Sequence, residues 1–460
     1  MNQWIRWDAN VSAAEPSWRW LADAMHMPAL LLTPARDRDD ILLAASRLNE
    51  TSREKFLALL GEQGVREDKD TRLAHAARVT AADCLRLRAG QTSLVPDAVL
   101  VPRNRDDVLS ILRICAEDGI AVAVSSDKPH VALNLSRMDR LLSVDFMSEL
   151  AEVEAGISSS ELARQLAARG LRLGPDSFAT LGGHVAQSNR GWLQNVTVAT
   201  PQGLIQSERH LSCGIVTAAT LRVRGLPKYT EQRHYLFPDF AGGIAALHEA
   251  ERLGIGLENA RLSDAAETRF LAQMARQRQT IWQRLEEIYR QVRRLDDHAA
   301  ALAVTFAGSE TDIAAARKRF DALAARLGAL MRNVAEPGDH NEALLERGVT
   351  VDSIQAFAIW SQLPVLYSTA RAALDQVMRE HCPRAGAHGL VLGRVTGVRG
   401  DGAQLRLSFI FPRVLGDGVA QAQIIRETAE KAMAGPAPSV LQTKLQAAIR
   451  LVLDPKGILP

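Results

Sequence analysis

The chain has only four cysteines, Cys84, Cys115, Cys213 and Cys382, far apart and without a Cys-x-x-Cys pair. That spacing excludes a disulfide framework and a cysteine-built zinc cage, so no metal ligand set is assigned and a reducing cytoplasmic location is expected. The opening residues MNQWIRWDAN lack a basic stretch followed by an apolar core, so no secretory signal is expected. No apolar run approaches the roughly 20 residues of a spanning helix. Charge of one sign is also missing: 55 basic against 53 acidic side chains leave +2, which removes the footprint of a dedicated nucleic-acid binder. Tyrosine is scarce, with Tyr229, Tyr235, Tyr289 and Tyr367 only, which limits where a phenolic proton donor can sit. Glycine is ordinary in total at 31, yet none occurs between Gly119 and Gly156.

What is present reads as a folded protein. Hydrophobic residues at 47% and charged residues at 23% are globular values, and 460 residues at roughly 150 per domain suggest two to three domains. Residues 1–95 read as a helical N-terminal arm, with apolar spacings such as Phe56, Leu59 and Leu60. Trp4, Trp7, Trp18 and Trp20 crowd its first twenty residues and are expected to staple it to the body, or else to meet a partner or a membrane surface.

From Pro96 the texture becomes alternating α/β. Asp97 to Val101 is β-like, Asn104 to Asp118 has helical spacing closed by Gly119, and Ile120 to Val124 reads as a buried strand. Strands follow at Leu141–Val144 and Ala151–Val153, then a helix capped at Ser158–Ser160 with Glu161 behind it, and a helix-to-turn unit over Leu166–Leu173. A hairpin spans Asn195 to Gln206 around Pro201-Gln202-Gly203, and Ala218–Val223 is a strand. Near Pro227 a second β–α–β region begins: strands at His234–Phe237, Leu302–Phe306, Val391–Val395 and Leu405–Phe411, and helices at Phe240–Leu253, Asp312–Leu330 and Ser439–Leu453.

Several words in order then resemble one family: PDAVLVPRNRDDVLSILRICAEDGIAVAV (96–124), AEVEAGISSSELARQLAARGLRLGPDS (151–177), TLGGHVAQSNRG (180–191), GIVTAATLRV (214–223), FPDFAGGIAALHEA (237–250) and LDPKGILP (453–460). They resemble the FAD-linked oxidases of the vanillyl-alcohol oxidase type, also called the PCMH type, and among these the alkyldihydroxyacetonephosphate synthases. The resemblance implies an α+β fold: an FAD-binding domain of two α/β subdomains over 96–225, a substrate-capping α+β domain over 226–430, and a C-terminal segment, 431–460, returning to the first domain. It implies FAD as cofactor, contacted by Thr180, Gly182, Gly183, Ser188, Ile215 and Thr217. These residues equally suit close packing of strand and helix. Arg261 and Arg394 fall where the family carries arginines near an acidic or phosphate-bearing substrate. A buried arginine needs an anionic partner, either that ligand or a neighbouring carboxylate, and the carboxylate is favoured.

The chain departs from the family at three places. The loop that should cradle the diphosphate reads Ser125-Ser126-Asp127-Lys128-Pro129-His130, without the glycines that let backbone N–H groups approach phosphate oxygens. Between Gly191 and Gly214 the chain is shorter than the family and lacks its tyrosine–glycine pair. In the cap, Ser408 takes the place of the reactive tyrosine, and Met433 to Pro438 replaces a histidine run. These losses favour a pseudoenzyme or assembly subunit with weakened or lost flavin binding. The alternative is an active FAD-dependent oxidoreductase or synthase on a hydroxy-acid, acyl or alkyl phosphate-type substrate. No catalytic residue is assigned. Small-molecule chemistry aside, the composition permits a homo-oligomer, a heteromer with an active relative, or peripheral membrane contact, and no nucleic-acid partner is expected.

Overall fold

The computed structural model describes residues 15–76, 80–122, 129–174, 178–187, 192–208, 213–274, 298–331, 341–435 and 440–459. The chain opens with helices α1 (Glu15–Ala24), α2 (Glu50–Leu60), α3 (Lys69–Ala74) and α4 (Ala81–Arg88), with the short strand β1 (Val65–Arg66) between α2 and α3. These elements are worked into the body. β1 pairs antiparallel with β2 (Ala98–Leu100), and Phe56 and Leu60 share a core with Ala98, Leu100 and Ile111. Trp18 is buried beside Phe270 and Leu271, and the ring of Trp20 lies 6.5 Å from that of Phe270. Trp4 and Trp7 lie outside the described residues.

Local chemistry fixes the next unit. Asn104 accepts the N–H groups of Asp106 and Asp107 at the head of α5 (Arg105–Asp118), and Gly119 ends it in the left-handed region at φ +71°. The strand expected at Ile120–Val124 is a lesser feature. Ala121 forms an isolated bridge to His130, Val122 donates to the Ile458 carbonyl at 2.8 Å, and Ala123 and Val124 lie outside the described residues. After β3 (Val131–Leu133), which lies parallel to β2, come β4 (Leu141–Asp145), β5 (Leu150–Glu154), α6 (Ser159–Ala167), β6 (Leu171–Arg172) and α7 (Leu181–Gln187). The helix-to-turn unit expected over Leu166–Leu173 is thus the end of α6 and a short strand. Its last residues leave the helix at the Ala168 cap, and Leu171 and Arg172 pair with β10 (Arg224–Gly225), which follows β7 (Leu193–Thr200), β8 (Gly203–Ser207) and β9 (Ile215–Arg222). The main sheet here has the order β4-β5-β9-β7-β8.

The second region holds β11 (Tyr229–Phe237), α8 (Phe240–Arg252), β12 (Asn259–Ser263), α9 (Ala265–Met274), β13 (Ala300–Gly308), α10 (Glu310–Arg326), β14 (Leu330–Met331) and α11 (Asn341–Glu346). It continues with β15 (Val349–Ile359), α12 (Leu363–Glu380), β16 (Leu390–Arg399), β17 (Gly402–Pro412) and α13 (Gly418–Met433). Its seven strands run in the order β14-β11-β13-β12-β16-β17-β15, and alternate residues of the central strands enter one core. Leu405, Leu407, Phe409 and Phe411 of β17 all enter the core shared with α8, α12 and α13, each contributing about 1.5–3 kcal/mol on burial. The intervening residues of β17, Gln404, Arg406 and Ser408, face the other way. That face carries these polar residues beside a second apolar cluster that includes Val351, Leu392 and Ile410.

The chain ends in α14 (Val440–Leu453) and a return segment. Asp454, itself buried, accepts the N–H groups of Ile458 and Leu459 at 3.0 and 2.8 Å, and both side chains enter the core of Ala98, Leu100 and Val131.

Candidate functional site

The turn that opens α7 carries most of the residues expected to touch a cofactor. Its backbone donors point into the protein: Leu181 N–H reaches the Ile157 carbonyl at 2.9 Å and Gly182 N–H the Ala155 carbonyl at 2.7 Å. The Thr180 hydroxyl accepts Gly183 N–H at 3.4 Å. A Cβ on Gly182 would stand 3.0 Å from the Ala155 Cβ and 3.2 Å from its carbonyl oxygen, so this glycine lets α7 lie against the β5–α6 turn. On β9, Thr217 is buried and its hydroxyl donates to the Thr197 carbonyl of β7 at 3.1 Å. Ile215 is half-buried against the core beneath. Ser188 lies outside the described residues.

Aromatic rings nearby also satisfy one another. His184 of α7 is stacked between Phe178 at 5.2 Å and Trp192 at 5.7 Å. This stack was not read from the sequence, and three rings separated by six and eight residues give no periodic signal.

The far end of the glycine-free loop is described from Pro129, while Ser125 to Lys128 are not. His130 is 3% exposed. Its backbone N–H donates to Asp97 at 2.8 Å, and Arg47 Nη2 lies 3.2 Å from its Nδ1. A guanidinium has only hydrogens to offer, so Nδ1 accepts and Nε2 carries the proton; among the described residues that Nε2 has no hydrogen-bond partner. Burial lowers the His130 pKa below the ordinary value, the Asp97 carboxylate opposing and Arg47 and Arg72 reinforcing the shift. Arg47 holds Asp97 through its backbone N–H, Nε and Nη2, which ties the arm to β2.

In the cap, Arg394 of β16 grips Glu267 of α9, with Nε at 2.9 and 3.1 Å from its two oxygens and Nη2 bonded to the nearer one. Glu267 is buried, so the anion beside Arg394 is a side chain of the protein itself. Glu267 was not singled out in the sequence, although Ser263-Asp264-Ala265-Ala266-Glu267 carries a helix-start signature: Asp264 accepts Glu267 N–H at 2.8 Å. Arg261 is half-buried on β12, two residues before Ser263, which lies opposite Arg394. Register therefore puts Arg261 and Arg394 on one face. Arg406 joins them, directly opposite Arg394 on β17. It donates to the Ser353 hydroxyl at 3.0 Å, and its pKa is lowered first by desolvation and then by Arg394. Ser408, opposite Leu392 and Ser353, shares this face.

Tyr367 sits on the opposite, helical side. Its hydroxyl donates to Asp264 at 2.8 Å, and the same carboxylate oxygen accepts Arg371 Nη1 and Gly393 N–H, each at 2.8 Å. Burial and the Asp264 charge raise the phenol pKa, so Tyr367 is a fixed donor. Burial likewise pushes the Cys115 thiol up to about 12 and the Cys382 thiol up to about 11. Among the described residues no group of three His, Cys, Asp or Glu side chains is placed to hold a metal.

The model of the FAD binding domain matches residues 96–206, and that of the C-terminal domain of FAD linked oxidases matches residues 226–396. The chain belongs to the FAD-linked oxidases. Within that family it is 27% identical over 258 residues to alkyldihydroxyacetonephosphate synthase of Trypanosoma brucei brucei, covering 46% of this chain and 42% of that protein. Its match to the synthase of Dictyostelium discoideum is 26% over 250 residues, 44% and 41% of the two chains. The chain thus spans less than half the length of these curated relatives. A solved alkyldihydroxyacetonephosphate synthase superposes with TM-score 0.78 at 19% identity, covering 98% of this chain and 92% of the other. p-Cresol methylhydroxylase does so with TM-score 0.63 at 12% identity, over 91% and 98%. These likenesses show the fold, an α+β arrangement of the PCMH type.

The FAD-linked oxidase family implies FAD. Among the described candidates the fit is poor: Gly182 N–H and the Thr217 hydroxyl are bonded to carbonyls of the protein, and the Thr180 hydroxyl caps its own helix.

Proposed function

We propose that this FAD-linked oxidase has kept its family's scaffold with weakened or absent flavin binding, and serves in the cytoplasm as a binding or assembly subunit, alone or beside an active relative. One observation carries the reading: the Leu181, Gly182 and Gly183 N–H groups of this turn are already bonded within the protein. A ligand arriving there would have to break those bonds to make its own. The glycine-free stretch from Ser125 to His130 adds to this. Each charge-assisted N–H to phosphate bond that is not made forgoes about 1.5–3 kcal/mol, so the loss of several weakens a flavin complex by orders of magnitude.

The test is direct. Purified protein is expected to be colourless, without flavin absorbance, and its thermal midpoint unmoved by added FAD. A yellow preparation with stoichiometric flavin overturns the proposal.

A second reading has its own observation. Arg261, Arg394, Arg406 and Ser408 share one face of the cap sheet, which favours an active FAD-dependent oxidoreductase or synthase on a hydroxy-acid, acyl or alkyl phosphate-type substrate. Flavin would then supply the redox chemistry and this face would orient the anion.

A further inference from the structure

Away from the flavin-type half, the stretch Met27 to Thr33 crosses the end of the cap sheet. Thr33 N–H bonds to the Glu346 carbonyl and so pins the stretch beside the sheet, while Arg413 N–H bonds to the Gly348 carbonyl at 2.9 Å across the sheet end. A pocket of about 20 Å³ lies between them, lined by Met27, Leu30, Leu31, Arg347, Arg413 and Leu415. That is room for about one water molecule, with the mouth open beyond it.

The cations here are unusual. Arg413 bonds to the Thr33 hydroxyl and, at 3.0 Å, to the Leu345 carbonyl, both neutral acceptors. Beside it the buried Arg88 bonds to the carbonyl of the same Thr33 at 3.1 Å. Burial and the Arg88 charge push the Arg413 guanidinium down to about 10, and among the described residues no carboxylate counters them. A part-buried cation that meets only neutral oxygens and a like charge is short of an anion. The protein makes room for it: a Cβ on Gly418 would stand 2.7 Å from Arg413 Cγ. Arg347 forms a second cationic wall, its guanidinium held 5.3 Å over the Trp18 ring. At the mouth, Leu31 and Leu415 are 54% and 59% exposed, an apolar rim beside a cationic floor.

We propose that this pocket binds the carboxylate or phosphate head of a small amphiphile, with Arg413 and Arg347 gripping the head and Leu31 and Leu415 carrying its apolar body. The proposal is independent of whether flavin binds.

Thermal-shift and calorimetric titrations of the full chain, at constant ionic strength, test it with three probes: octanoate, inorganic phosphate and neutral octanamide. Octanoate is expected to bind saturably and raise the midpoint, octanamide to do neither, and Arg413→Gln to weaken octanoate roughly tenfold or more. Leu415→Ser should weaken octanoate while leaving phosphate unchanged. Should Arg413→Gln fail to fold, Arg347→Gln is expected to show the same selective loss. Saturable binding of phosphate but not octanoate would still support the anion site and would make the bare phosphate its ligand. Absence of saturable binding by both anions, or equal effects of octanoate and octanamide, overturns the proposal. So does octanoate affinity unchanged in both arginine variants.

Discussion

The two halves of this protein arrange their polar groups differently. In the flavin-type half, the turn at Thr180–Gly183 directs its donors to the Ile157 and Ala155 carbonyls, and Thr217 bonds across to Thr197. In the cap, one face of a seven-stranded sheet sets Leu405, Leu407, Phe409 and Phe411 into the core while the other carries Arg261, Arg394, Arg406 and Ser408 in register. Sequence similarity alone therefore does not say which partners a motif's polar atoms take.

The contrast can be broken most severely at Gly156. A Cβ there would fall 1.7 Å from the Leu135 carbonyl oxygen and 2.6 Å from its carbon. Backbone cannot yield as a side chain can, so Gly156→Ala is expected to cost more than about 4 kcal/mol in urea unfolding or to prevent folding. An unchanged midpoint would show the flavin-type half to be looser than described.

Next in size is the Arg394–Glu267 pair. Removing one member strands a buried charge, so Arg394→Ala should lose about 3 kcal/mol of stability whatever ligand is supplied. Intact stability with lost binding of an anionic ligand would return Arg394 to the role of a substrate residue.

Smaller again is the comparison of two adjacent glycines. Gly182→Ala meets the Ala155 backbone and should cost about 1–2 kcal/mol. Gly183 is exposed and its Cβ would meet only the Thr180 hydroxyl at 3.1 Å, so Gly183→Ala should be neutral or stabilise the helix by up to about 1 kcal/mol. Equal effects at both positions in a denaturation series would contradict the packing role given to Gly182.

The smallest effect is a pH slope. Because burial lowers the His130 pKa, the unfolded chain takes up this proton first as pH falls. The stability contribution of neutral His130 is therefore complete above about pH 6.5 and declines as pH drops below it. His130→Asn keeps an acceptor for Arg47 and should show a shallower fall in thermal midpoint from about pH 7.5 to about pH 5.5. Identical slopes would remove His130 from the account.

Elements with strong local punctuation were legible in the sequence. Asn104 and Gly119 bracket α5, Pro201-Gln202-Gly203 makes the β7–β8 turn, and the helix expected over Phe240–Leu253 runs Phe240–Arg252. The helix read as Asp312–Leu330 begins and ends earlier, at Glu310 and Arg326, because Ser309 caps it and Leu327 leaves the helical conformation. β15 and α12 were not read at all. β15 alternates poorly, its first four residues all buried, and α12 starts without a side-chain cap. At the candidate site, the resemblance named Thr180, Gly182, Gly183, Ile215 and Thr217, but the direction of their hydrogen bonds depends on partners such as Ala155 and Thr197 that only the fold brings near. Arg394 was legible and its partner was not, since 127 residues separate it from Glu267.

The return of the chain end to the first core sets an order in time. Val122 bonds to Ile458, and Ile458 and Leu459 fill a core whose other members, Phe56, Ala98 and Ile111, are made early in synthesis. That core lacks two of its members until residues 458 and 459 have been made, after the whole cap sheet, and it is completed through contacts of very long sequence separation that are slow to find.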